Sequence, residues 1–182
     1  MSGKSVSNTE IQQAIETLQA AIGCAKNGLP ESVFLFVSSL TPMVNVDLLV
    51  RDPVGRTLLT WRDDDFYGPG WHIPGGIIRF KERAATRIAL VAANELGVRV
   101  NVQPTPLCTL EMFNITRDVR GHFISQLFAC TLASELDTAR HFKADAPMHG
   151  DWAWHDVAPK NLLRVQEQYR FYIDAAPLFE SP

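Results

Sequence analysis

Gly75 and Gly76 follow Pro74 and precede an amphipathic stretch that closes in Glu95, Leu96, Gly97 and Val98. Proline biases the residue before it toward extended backbone, so Trp71, His72 and Ile73 should be a strand end running into a glycine loop that exposes backbone carbonyls. From about 81 to 96, Ala85, Ile88, Ala92 and Leu96 recur at three- and four-residue spacing. That spacing predicts a helix, and Gly97 is a natural stop just past its last turn. At roughly 100° per residue, positions 91, 94 and 95 lie within about a 100° arc, so the residues there set the charge of one patch beside the loop. Val91 contributes nothing, Asn94 a neutral oxygen and Glu95 a carboxylate. Such oxygens suit a hard divalent cation, and magnesium keeps several waters and takes substrate phosphate oxygens, so one carboxylate plus a loop carbonyl suffices. Gly75, Gly76, Asn94 and Glu95 are therefore the candidate ligands for magnesium or, in its place, manganese. Glu82 lies roughly 220° around the helix from Glu95 and is expected to complement the helix dipole from the first turn.

The remaining elements must hold this loop and helix in place. Residues 1–40 read as an N-terminal helical extension and residues 41–182 as one domain. In the extension, Ser7 and Glu10 form a capping box, and Ile11, Ile15, Leu18, Ile22 and Ala25 make one stripe, predicting a helix over about 8–26. Gly28 and Pro30 end it. The stripe has to pack on the domain or on a second copy, which would make a homodimer. Val33 to Val37 is a brief apolar run that fits helix or strand equally. From Thr41 onward, strands are expected over 43–51 and 56–62, joined as a hairpin by Asp52, Pro53, Val54 and Gly55. Further strands are expected over 99–102, 107–115, 122–132 and 151–155, with a surface loop over 63–70 and one or two helices over 159–173. A mixed sheet between helices follows from that order.

The glycine pair, Glu82, Glu95, Gly97 and Val98 resemble the signature of the Nudix hydrolases, G-x5-E-x7-R-E-U-x-E-E-x-G-U, in which U is a bulky aliphatic residue. The consensus arginine falls on Leu90, the next glutamate on Val91 and the first of the glutamate pair on Asn94. The resemblance implies an α/β/α sandwich across most of the chain. The segments around Asp47, around Trp71 to Gly76 and around His149 to Trp154 are similar to the GDP-mannose mannosyl hydrolase branch, which has a thinned signature. That likeness implies that His149 is a general base for water attacking a sugar anomeric carbon, a role suited to a group that titrates near neutrality. It also implies that Arg62 contacts diphosphate and that Asp47 lies near the nucleotide base. The branch's glutamine ligand is here Met148, a poor partner for magnesium, and two of its diphosphate-binding arginines fall on Ile77 and Leu90. Arg79, Lys81 and Arg83 are available to compensate.

Three functions follow. The first is hydrolysis of a nucleoside diphosphate linked to another group, such as a nucleotide sugar, by attack at carbon. The second keeps the fold but attacks phosphorus, with Glu111 or a glutamate of the signature helix activating water. The third is a noncatalytic nucleotide-binding module, motivated by Val91, Asn94 and Met148. Composition bears on all three. The 182 residues are 46% hydrophobic with a net charge of −3, enough for a core and without the basic excess that marks nucleic-acid binding. Cys24, Cys108 and Cys130 are an odd set without close pairing, which suits a reducing compartment. No apolar run has membrane-spanning length and the N-terminus carries no signal pattern, so the chain is expected in the cytoplasm.

Overall fold

The computed structural model describes residues 6–175; residues 1–5 of the expected extension and 176–182 of the expected domain lie outside the described residues. Helix α1, Asn8–Ile22, starts on the capping box, with Ser7 Oγ accepting from the Glu10 amide and Glu10 accepting from the Ser7 amide. It ends earlier than its apolar stripe suggests, because Gly23 takes a positive φ of 60° and breaks the helix before Ala25. No α1 residue is buried, and Ile11 and Ile15 of the stripe remain exposed. The ambiguous apolar run resolves as helix α2, Glu31–Ser38, entered directly after Pro30.

Strand β1, Met43–Arg51, is the centre of the sheet. It pairs in parallel with β7, His122–Leu132, from Met43 opposite Phe123 to Arg51 opposite Thr131. The expected hairpin to β2, Thr57–Arg62, pairs only Arg51 with Thr57 before the strands part. Short strand β4, Gly75–Ile77, fills the space on the β1 edge, and β3, Gly70–His72, and β8, Trp152–His155, pair with β2. Strands β5, Val100–Val102, and β6, Cys108–Phe113, pair antiparallel with β7. One parallel and otherwise antiparallel pairings make the sheet mixed.

Alternation along β1 sends Val46, Leu48 and Val50 into a core against Ile88, Val91, Ala92 and Leu96 of the signature helix. Leu49 faces the other core, closed by Leu162, Tyr169 and Ile173 of the C-terminal helical segment. Helices thus cover both faces of the sheet. The signature helix α3 is regular over Ala84–Val91 and widens into a π-helical turn over Ala92–Leu96, ending at Gly97 in the left-handed region with φ 71°. Its start lies past 81, since Lys81 has a positive φ of 58° and Arg83 is the extended cap. On the far side, a 3-10 stretch, Arg164–Tyr169, leads into α4, Arg170–Asp174.

Candidate functional site

The C-terminal end of α3, the β4 glycines and the loops after β2 and before β8 enclose a cavity of about 410 Å³. Asp47, Arg62, Gly75, Gly76, Asn94, Glu95 and His149 all line it. Glu111 does not. Cys108, Leu110 and Met112 of β6 pack toward the core, so the strand's period turns the exposed Glu111 away. The Glu111 carboxylate is therefore absent from the cavity in which it was expected to act as a base.

At the cavity floor the chain is packed closely enough to require glycine. A Cβ on Gly75 would lie 1.8 Å from Asp47 Oδ1, and one on Gly76 would lie 2.8 Å from Val91 Cγ2. Gly75 stands opposite Asp47, and the flanking bonds run from Leu48 N–H to Pro74 C=O and from Ile78 N–H to Val44 C=O. Alternation in an antiparallel ladder then makes Val46 and Gly76 the bonded pair and turns the N–H and C=O of Gly75 away from β1. Gly75 offers a free carbonyl, whereas that of Gly76 is committed to the ladder. Gly75→Ala is expected to lower stability by about 1–3 kcal/mol, as overpacking does. Urea unfolding checks this, and an unchanged midpoint would show that Asp47 moves aside freely.

Asp47 is only 2% exposed. Its carboxylate accepts hydrogen bonds from Ser125 Oγ, Tyr169 OH and, at 2.8 Å, Asn45 Nδ2. Burial pushes its carboxyl up to about 6 even against those bonds. Oxygens so fully engaged hold the floor in place more than they offer themselves to a nucleotide base. Glu95 is half-buried, with the Gly75 amide against it. Burial, then the charge of Asp47, pushes its carboxyl up to about 8, opposed by Arg62 and Arg140. A carboxylate raised by burial and by the charge of Asp47, beside the Gly75 carbonyl, fits a divalent cation, whose charge would relieve it. Among the described residues no group of three His, Cys, Asp or Glu could hold a metal, so the cation would depend on Glu95, the Gly75 carbonyl, the exposed Asn94 and substrate oxygens.

The cationic residues differ from those the sequence suggested. Arg79 donates to the Lys26 carbonyl, the Lys81 ammonium sits over Phe80, and Arg83 caps α3; none lines the cavity. Arg120 and Arg140 do. Arg140 Nη2 donates to the Glu95 carbonyl at 2.7 Å and to the Gly150 carbonyl at 2.6 Å, tying the helix end to the His149 loop. No motif marks either arginine in the sequence. Arg62 Nε donates to Asp64 at 2.6 Å beneath the Tyr67 ring. His149 Nδ1 accepts from the Asp63 amide at 3.3 Å, which leaves the ring proton of the neutral form on Nε2. Base catalysis by His149 thus requires this contact to open.

Glu82 also has a different job from the one expected. It precedes α3 and accepts from Arg87 Nε and Nη2 at 2.9 and 3.0 Å and from the Arg79 amide at 2.9 Å. Arg87 lies one turn before Leu90 and supplies the guanidinium missing there. Because the pair is nearly buried, at 8% and 12% side-chain exposure, Glu82→Gln is expected to lower stability by about 1–3 kcal/mol. Turnover per folded molecule should stay within a few-fold, which a denaturation curve and an active-site titration together would check.

Comparison with known proteins places this geometry. No family model matches the chain. The fold is similar to a MutT protein of Methanosarcina mazei Go1, at TM-score 0.56 and 17% identity over 74% of this chain and 94% of that one. It is also similar to a MutT Nudix hydrolase of Burkholderia pseudomallei, at TM-score 0.52 and 19% identity over 67% and 90%. A UDP-X diphosphatase superposes at TM-score 0.53 and 15% identity over 91% and 90%, more of this chain than residues 41–182 alone could supply. The low-salt glycan biosynthesis protein Agl8 of Haloferax volcanii is 32% identical over 117 residues, 60% of this chain and 74% of the relative. The chain belongs to the Nudix hydrolase family. Its Nudix helix keeps the last glutamate and the glycine stop, and has moved its arginine to Arg87. Among the described residues, no helix is long and apolar enough to cross a membrane.

Proposed function

We propose that this Nudix protein hydrolyses a nucleoside diphosphate linked to another group, most simply a nucleotide sugar, with a divalent cation at Glu95. Residues 41–182 would be the catalytic unit, and the exposed stripe of α1 a surface for a second copy. The observation that carries the reading is the convergence of Glu95, the Gly75 carbonyl, Arg62 and His149 on one cavity. The relative named for glycan biosynthesis supports a sugar on the far side of the diphosphate.

Magnesium or manganese would neutralise diphosphate charge and so favour its departure. The rest falls to side chains. Arg62, held by Asp64 and stacked on Tyr67, would bind a phosphate by exchanging its carboxylate partner. Asp47 would keep the glycine floor in register. His149, released from the Asp63 amide, would accept the proton of the water attacking the anomeric carbon, leaving nucleoside diphosphate and free sugar. Attack at phosphorus would give nucleoside monophosphate and sugar phosphate instead; of the bases expected for it, Glu111 lies off the cavity, and a glutamate of the signature helix would have to be Glu95, which this reading gives to the cation.

Assay of nucleotide sugars and dinucleotides with each metal, followed by product analysis, tests the proposal. Nucleoside diphosphate and free sugar are the expected products. Metal-independent nucleotide binding without turnover would select a noncatalytic role, the reading that Val91, Asn94 and Met148 favour.

A further inference from the structure

Arginines 62, 117 and 120 surround the Tyr67 ring, with guanidinium carbons 4.8, 4.6 and 5.9 Å from its centre. Two of the three are satisfied by the protein. Arg62 pairs with Asp64, and Arg117 donates to the Phe66 carbonyl. Arg120 stands apart. Among the described residues its guanidinium has no hydrogen-bond acceptor, and its buried Nε is unpaired. Burial and the neighbouring charge of Arg62 both disfavour its cationic form, and Asp64, whose charge favours it, is already bonded to Arg62.

Arg120 as a whole is half-buried, but a buried donor such as its Nε is costly to leave without an acceptor. The rings of Phe66 and Phe34, 4.5 and 5.4 Å away, hold its plane, and its amide donates to Ser38 Oγ of α2. Stacking accounts for the plane but satisfies no N–H donor in it, since cation–π attraction acts on the face and leaves the edge free. Arg120 is also held at a positive φ of 53°, which an arginine adopts only under constraint. Arg120 lines the same cavity as Arg62 and Glu95, so a ligand in that cavity would supply the acceptor.

We propose that Arg120 is a phosphate-binding residue, completing with Arg62 a two-arginine clamp for the diphosphate of the substrate. The inference rests on the reading of the cavity as a diphosphate site and names the group that recognises it. The clamp draws one arginine from the end of β2 and the other from the β6–β7 turn, so it closes only when that turn is docked against the loop carrying Tyr67. Its chemistry is that of two adjacent phosphates, and a planar fork suits it better than a point charge.

Inorganic pyrophosphate is the probe, titrated calorimetrically into the full chain in chelator. The parent should bind it, Arg120→Met should weaken binding about 10–100-fold, the range for a charged hydrogen bond, and Arg120→Lys should fall between. Thermal melts establish that the variants are folded. Pyrophosphate affinity of folded Arg120→Met within twofold of the parent would overturn the proposal, as would a parent that binds no pyrophosphate. If Arg120→Met does not fold, Arg120→Lys decides, and parental affinity there counts against the clamp. Binding that depends on Arg120 in a parent that turns over no nucleotide diphosphate compound would keep the clamp and end the hydrolase reading alone.

Discussion

Glu95→Gln is expected to lower metal-dependent turnover by more than ~100-fold, beyond the effect of changes to groups that only orient a metal ligand, while raising the melting temperature of the metal-free protein at pH 8. Both effects have one cause. Glu95 is the charged member of a site whose other oxygens come from Asn94 and the Gly75 carbonyl, so its charge gives the site most of its cation affinity. Without metal the same charge is a burden, because burial and Asp47 hold the carboxyl up at about 8 against an ordinary value of 4.5. Below pH 4.5 the folded and unfolded chains both carry the proton, and parent and variant differ little on this account. As pH rises from 4.5 to 8 the unfolded chain gives up its proton first, so folding of the parent weakens relative to the neutral variant. The advantage of the Glu95→Gln variant is complete only above 8. It should reach about 10 °C, since a carboxyl held up from 4.5 to about 8 costs the folded state a few kcal/mol and about 1 kcal/mol corresponds to roughly 2–4 °C in a domain of this size. Melts in chelator at pH 5 and pH 8, with turnover at limiting magnesium, measure the two halves. Parental activity in the variant would remove the metal site, and a pH-independent difference in melting would remove the charge argument.

For His149→Ala a loss of roughly 10²–10⁴ in turnover is expected, the usual worth of a general base, with Glu111→Gln within a few-fold of the parent. The contrast follows from placement: His149 lines the cavity, whereas Glu111 faces outward from β6. The contact of His149 Nδ1 with the Asp63 amide at 3.3 Å adds a second expectation. Substrate should break this bond, and the chemical shift of the Asp63 amide proton should move when a nucleotide sugar is added. Water labelled with heavy oxygen reports on the chemistry independently, because attack at carbon puts the label in the sugar and attack at phosphorus puts it in a phosphate. Label in phosphate from a fully active His149→Ala enzyme would end attack at carbon and leave the family assignment intact.

The local features of this chain were legible in its sequence because their causes are local. The Ser7 and Glu10 box starts α1, Gly97 stops the Nudix helix, and the turn at Asp52 returns the chain, each through bonds within a few residues. Glu95 meets the glycine pair as its helical position suggests, but that pair forms strand β4 on the edge of β1 where a loop was expected. The π-helical turn over Ala92–Leu96 did not show, since apolar spacing fits it as well as it fits an α-helix. Leu110 and Met112 flank Glu111 on β6 and turn to the core, which leaves Glu111 facing out. Other features depended on residues far apart in the chain. Strand β1 parts from β2 where β4 takes over the same edge of β1, while β7 lines the other edge throughout. Arg87 replaces the consensus arginine because it reaches Glu82 from one turn earlier, a choice among cations that spacing could not make. Arg120 comes from a turn and Arg140 from the end of a 3-10 helix, Thr138–Arg140, neither with a motif, and only their packing onto Tyr67 and the end of the Nudix helix turns them into walls of the cavity. Periodicity and capping encode the elements within a span of residues, whereas the charge balance of the site arises from loops that meet only after the sheet has formed.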